Sequence, residues 1–177
     1  SISVIKAQAL CDSYADNYFP VRAFISGNKF KGVVANLKDY TTTQLNKVSI
    51  LLANTDGSKE ASIGLLLGRV SSIPSQRKIS RVKDGPVEQL AAYFTNGEAI
   101  QTLVNAWNAI QNKGYISLRS FARRSGFYFT GDQTLTGATD DFKTQSRGFV
   151  MDEAVLIAYD TLVEELSDEI PVTSTGN

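Results

Sequence analysis

Three groups of residues have the types and spacing to do chemistry. The first surrounds Asp56 in "ANTDGSKEA", residues 53–61. It follows an apolar run and precedes a helical pattern, where open α/β sheets hold their ligands. A carboxylate there serves as a base or a metal ligand, and free N–H groups near Ser58 hold an anion. The simpler reading is that Thr55, Asp56, Gly57 and Ser58 turn the chain and cap a helix. Neither a Walker lysine pattern nor Gly-x-Gly-x-x-Gly stands here, so the capping reading is favoured.

The second group is Arg119, Arg123 and Arg124 in "GYISLRSFARRSGFYFTGDQTLTG", residues 114–137, with Arg77, Lys78, Arg81 and Lys83 as candidate neighbours. Arginine reads phosphates through planar, bidentate hydrogen bonds, and it is also enriched where proteins dock. Phe121, Phe127, Tyr128 and Phe129 have the type to stack on bases. Alternating aromatics in strands are more often core, and the chain lacks a basic stripe with a nucleic-acid motif. A docking surface is the better account. The third group is acidic: Glu164, Glu165, Asp168 and Glu169. Paired carboxylates do acid/base work on glycosidic bonds, but neighbouring acids on one helix turn more simply form a solvated face. They also sit at the negative end of the helix dipole, which calls for a cationic partner such as another chain.

Composition narrows the chemistry further. The 177 residues include no histidine, which removes the commonest general base and metal ligand. A single cysteine, Cys11, excludes an internal disulfide and a cysteine-cluster metal site. Lys+Arg and Asp+Glu are equal at 18 each, so no global charge draws the chain to nucleic acid or to an acidic membrane. No apolar run is long enough for a membrane span. With 42% hydrophobic residues the chain has ample material for a core. It opens on Ser1 without a leader and stops in "EIPVTSTGN" as another strand begins, so a trimmed chain without a signal peptide is expected.

The elements that must position these residues follow from periodicity. Residues 2–16 predict a helix, "FPVRAFIS" a strand, and "KGVVANLKDY" a short helix or irregular connection. "NKVSILLAN", 46–54, is apolar almost throughout and predicts a strand buried on both faces of a parallel sheet. "KEASIGLLLGRVSSI" predicts a helix packed on more than one side. "RKISRV" predicts a short strand, and "KDGPVEQLAAYF" a helix with Pro86 at its first position. Residues 97–113 predict a helix striped by Ile100, Leu103, Val104, Trp107 and Ile110, with Trp107 mostly buried. Two strands follow within 114–137. Last comes a long amphipathic helix, striped by Val155, Ala158, Leu162, Leu166 and Ile170 and stopped by Pro171. Strands alternating with helices predict α/β architecture: a central, largely parallel sheet with helices on both faces. The expected sheet edge is "PVRAFIS" or "GFYFTGDQTL".

The ordered set "KVSILLAN", "SIGLLLGRVSSIPSQRKISRVKDGPV", "KGYISLRSFARRSGFYFTGDQTLT" and "DDFKTQSRGFVMDEAVLIAYDTLVEEL" resembles the contractile tail sheath proteins of phages and related contractile injection systems, in particular sheath-like proteins of Bacteroidetes phages and prophages. The likeness covers residues 45–177 well and the first third loosely. One departure is that an Arg pair expected before the long helix is here Arg147 followed by Gly148. The resemblance implies an α/β sheath core over 1–138 and the start of a C-terminal sheath domain over 139–177. It implies a structural subunit, not an enzyme, with no cofactor, catalytic residue or metal. Its partners would be other copies of itself, an inner tail tube and a baseplate, with no nucleic acid and no membrane anchor. Its location would be the bacterial cytoplasm during assembly, then a virion tail or tail-like particle. The candidate interface is Arg119, Arg123, Arg124, Arg147, Glu164, Glu165, Asp168 and Glu169, with Arg119, Arg123 and Arg124 facing an acidic patch such as Glu164 to Glu169 on a neighbour. The chain alone is expected to be monomeric. The competing expectation is an α/β enzyme or small-ligand domain using Asp56.

Overall fold

A computed structural model describes residues 2–27, 30, 33–87 and 89–167; the side chains of Ile2, Leu103, Val104 and Ser167 are not among those described. The centre is a parallel three-stranded sheet of β1 (Ala23–Ser26), β3 (Val48–Leu51) and β6 (Tyr115–Ile116), in the order β1-β3-β6. Ala23 pairs with Val48, and Ile50 with Tyr115. β3 is central because every residue of it is apolar or small enough to be enclosed on both faces. Val48, Ile50, Leu51 and Leu52 are all at most 4% exposed. The α/β architecture with a parallel centre is therefore as the apolar run predicts, and "PVRAFIS" is an edge strand.

Alternation along β1 and β3 sends side chains to two layers. On one side Ile25 and Ile50 meet Val4 of α1 (Ile2–Ala15) around a cavity of about 420 Å³. On the other, Phe24 meets Val70 of α2 (Ile63–Ser71) and Phe149 of α4 (Gln145–Ser167). A 3-10 helix (Ile100–Ala106) runs into α3 (Trp107–Asn112), which packs beside β6. Three antiparallel pairs extend the core: β2 (Gln44–Leu45) with β9 (Leu135–Thr136), β4 (Ala53–Asn54) with β5 (Tyr93–Phe94), and β7 (Leu118–Arg119) with β8 (Tyr128–Phe129). Among the described residues no helix is long and apolar enough to cross a membrane.

Several expectations change. The helix expected over "KDGPVEQLAAYF" does not form among the described residues: the Val87 N–H donates to the Phe127 carbonyl at 2.7 Å, and Tyr93–Phe94 pairs with β4. Partners distant in sequence capture backbone groups that a helix would need. "RKISRV" is no strand. It is a loop that buries Ile79, with the Arg69 guanidinium donating to the carbonyls of Asp84, at 2.9 Å, and Gly85. α2 starts later than its apolar pattern, and it buries one side: Leu66 is enclosed while Leu67 is 46% exposed. The predicted 97–113 helix is divided between 3-10 (Ile100–Ala106) and α (Trp107–Asn112), with Ile100 and Ile110 fully buried and Trp107 only partly so. The largest change concerns α4. Val155, Leu162 and Leu166 of its expected packed stripe are 46, 61 and 84% exposed. Ile170 lies outside the described residues.

Candidate functional site

The arginine group sits on the β7–β8 hairpin. The cross-strand pair Leu118 and Phe129 points into the core, so the next pair, Arg119 and Tyr128, faces the other way. The Arg119 guanidinium lies 4.1 Å over the Phe121 ring, which meets Tyr128 edge-on at 5.1 Å. Its Nε is buried and without a hydrogen-bond partner among the described residues. The base of the loop is fixed at Gly126, φ +76°, where a Cβ would strike Pro86. Beyond that base, residues 122–125 are all exposed. Arg123 takes a left-handed φ of 64°, uncommon for a long side chain. The expected trio is thus divided: Arg119 braces the hairpin, while Arg123 and Arg124 project from its tip. Neither tip arginine makes an ion pair among the described residues.

The acidic group belongs to α4, whose base is locked into the core. The Asp132 carbonyl accepts from Gln145 N at 2.8 Å, and its carboxylate from Ser146 N at 3.2 Å, so it satisfies two donors of the helix start. Gln145, 2% exposed, donates to Ser49 Oγ at 2.7 Å, and that hydroxyl donates to the Gln133 carbonyl. Arg22 crosses the helix at Gly148. Its Nε donates to Asp152 at 2.6 Å, its Nη1 to Gln145 Oε1 and the Asn46 carbonyl, each at 3.2 Å. The Arg22 side chain is 3% exposed, and its guanidinium lies 5.6 Å from the Phe149 ring centroid.

Past this clamp the helix leaves the body. Ser75 Oγ donates to Glu153 at 2.8 Å, and Tyr18 stacks on Tyr159 at 4.9 Å. Residues 153–166 are exposed throughout. Glu164 and Glu165 lie in this arm; Asp168 and Glu169 lie outside the described residues. Arg147 is exposed at the helix base and donates to the Asp141 carbonyl at 3.3 Å. The candidate residues therefore occupy three places: a hairpin tip, a helix base and a helix arm. Sequence reasoning missed Arg22 and Asp152 and gave no role to Gly148. Arg22 and Asp152 are 130 residues apart, and no local pattern links them.

The Asp56 loop is a closed turn. Ser58 N donates to Asp56 Oδ1 at 3.0 Å, Gly57 N to Asn54 Oδ1 at 2.9 Å, and Glu60 N to Ser58 Oγ at 3.3 Å. The donors suited to an anion are already committed within the loop. The Ser58 N–H, then its hydroxyl, hold the Asp56 carboxyl below its ordinary range. Such an exposed, stabilised carboxylate is a turn-former. No group of three or more His, Cys, Asp or Glu among the described residues is arranged to hold a metal ion. Burial pushes the Cys11 thiol up, against the pull of Lys47, so this cysteine is a core side chain and a poor nucleophile.

No curated protein matches the chain. The family model described as DUF2586, N-terminal domain, matches residues 2–133. That match runs from α1 through the β7–β8 hairpin and stops before β9 and α4. It covers well over half of the 177 residues, and the chain belongs to the DUF2586 family, residues 2–133 matching its N-terminal domain.

Proposed function

We propose that the chain is a structural subunit of a contractile, phage-like tail sheath, which polymerises around an inner tube and contracts to drive it through a target envelope. The ordered segments that resemble sheath proteins support the reading. The observation that carries it is the arm of α4, whose apolar residues are exposed on every side. A helix apolar all round is ordinarily buried in protein, so this one is built to be covered. Its arm and the Arg123–Arg124 tip are surfaces for neighbours, not walls of a catalytic cleft.

In this reading the core occupies 1–138, and 139–177 begins a second sheath domain whose first turns are knitted to the core by Arg22, Ser49 and Asp132. The partners are other copies, the inner tube and the baseplate, with neither nucleic acid nor a membrane anchor. The protein resides in the bacterial cytoplasm during assembly and then in a tail or tail-like particle. Arg123 and Arg124 meet an acidic surface of a neighbour, where charge complementarity sets register. No observation favours the Asp56 ligand site, whose donors are committed. The test is negative-stain microscopy of the protein expressed from its complete gene, with and without Arg123→Glu/Arg124→Glu. Tubes from the parent and their loss in the variant, at unchanged melting temperature, are expected. Normal tubes from the variant refute the role of the loop, and a parent that never forms tubes refutes the sheath reading.

A further inference from the structure

An open groove of about 690 Å³ lies against the base of α4. Phe142, Val150 and Met151 supply apolar lining, while Lys78 and Arg147 carry positive charge and Asp141 a negative one. Arg147 bonds to the main-chain oxygen of Asp141, not to its carboxylate. A neighbouring depression shares Lys78 and adds Arg77 and Arg81, both paired with Asp84. The base of α4 thus offers an apolar floor with a net positive rim.

The arm of the same helix has the complementary character. From Gly148 to Ser167 its charged residues are Asp152, Glu153, Asp160, Glu164 and Glu165, with no lysine or arginine. Leu162 and Leu166 are 61 and 84% exposed. At spacings of three and four, Leu162, Glu165 and Leu166 share one helix face, two apolar side chains beside a carboxylate. The helix dipole adds negative potential towards this end.

We infer that the distal turns of α4 from one copy seat in the groove at the α4 base of a second copy. Leu162 and Leu166 lie on the floor, and Glu165 faces Lys78 and Arg147. The arm cannot fill its own groove: Met151 to Leu166 is unbroken helix, spanning about 22 Å at 1.5 Å per residue. The contact is therefore head-to-tail. A head-to-tail pair still has one free arm and one free groove, so the contact repeats in a ring or an open polymer. The inference rests on the proposed self-assembly, and it gives the acidic arm a different acceptor from the Arg123–Arg124 tip. That tip, residues 122–125, offers charge without a large apolar side chain. Two leucines and a carboxylate cover far less than the 800 Å² or so that a stable interface buries per partner. The single contact is accordingly weak and gathers strength in a lattice.

Two variants of the 177-residue chain, Leu166→Cys and Gln76→Cys, are mixed at high protein concentration under mild oxidation, with folding checked by circular dichroism. The mixed disulfide should dominate over either homodimer and fade with added salt. Lys78→Glu/Arg147→Glu in the Gln76→Cys partner should reduce it at least tenfold. Glu164→Lys/Glu165→Lys in the Leu166→Cys partner should restore it. A chain carrying both cysteines should yield a ladder of dimers, trimers and higher species. Dominant Leu166→Cys homodimers, or yields indifferent to charge reversal and salt, overturn the contact. A specific mixed disulfide from a protein whose complete gene product forms no tubes keeps the contact and rejects the sheath. Tubes that never cross-link between these positions keep the sheath and reject the contact.

Discussion

Gly148 is the residue on which the direction of α4 turns. In an exposed helix interior, replacing glycine with alanine stabilises by roughly 0.5–1 kcal/mol. Here the new Cβ would enter the space filled by the Arg22 guanidinium. Arg22 would have to leave Asp152, Gln145 and the Asn46 carbonyl, and an ion pair with one side 3% exposed would be broken. Gly148→Ala should therefore destabilise by roughly 2–4 kcal/mol, the about 3–5 kcal/mol for breaking a buried ion pair less the gain of alanine over glycine in a helix. Urea denaturation with an unchanged slope is the measurement, and stabilisation would show that the clamp is not what holds the helix. The sequence marks Gly148 as a departure from the sheath pattern at a position where an arginine pair was expected. The structure supplies the reason for glycine: an arginine from β1's approach, not from the helix, occupies that space.

At the scale of elements, hydrophobicity has opposite meanings in β3 and α4. Both are rich in branched apolar residues, and periodicity alone assigned each a packed face. Ile50 is enclosed between α1 and the flanking strands, so Ile50→Ala should cost roughly 2–5 kcal/mol through lost transfer energy and the cavity left behind. Leu162 touches little of its own chain, and Leu162→Ala should change stability by about 0.5 kcal/mol or less. Thermal or chemical unfolding of the two variants distinguishes these cases; a large loss at Leu162 would mean that the arm packs on the chain that carries it. Two strands within 114–137 were legible because their residues alternate and turn residues bracket them; that 118–119 turns into an antiparallel pair with 128–129 was not. The false helix over "KDGPVEQLAAYF" was not avoidable from local pattern. Pro86 suits a helix start equally well as it suits the Gly126 contact that it actually makes.

At the scale of the whole molecule, the clamp and the arm divide labour. Core residues orient α4, and the arm carries an apolar, acidic surface away from them. Because each exposed patch is small and ion pairs at a surface contribute roughly 0–1 kcal/mol each, the isolated chain should sediment as a monomer at micromolar concentration. Analytical ultracentrifugation checks this, and a stable hexamer or filament there would show that the contacts within this chain suffice for assembly without a lattice.

The sequence by itself determined the α/β class, a buried strand within "NKVSILLAN", "PVRAFIS" as one of two candidate sheet edges, and the existence of a long terminal helix. These follow from short-range periodicity and from the need of an apolar run to leave water. Its residue types also identified the hairpin arginines and the helix acids as candidates for docking. Only the tertiary structure decided which of them are available. It stacked Arg119 on Phe121, left Arg123 and Arg124 at a tip, closed the Asp56 loop with its own hydrogen bonds, and turned the expected core stripe of α4 outward. The physical reason is that exposure and partner choice depend on contacts between distant residues. A pattern of apolar side chains reports that a surface will be covered, but not whether its own chain or another one covers it.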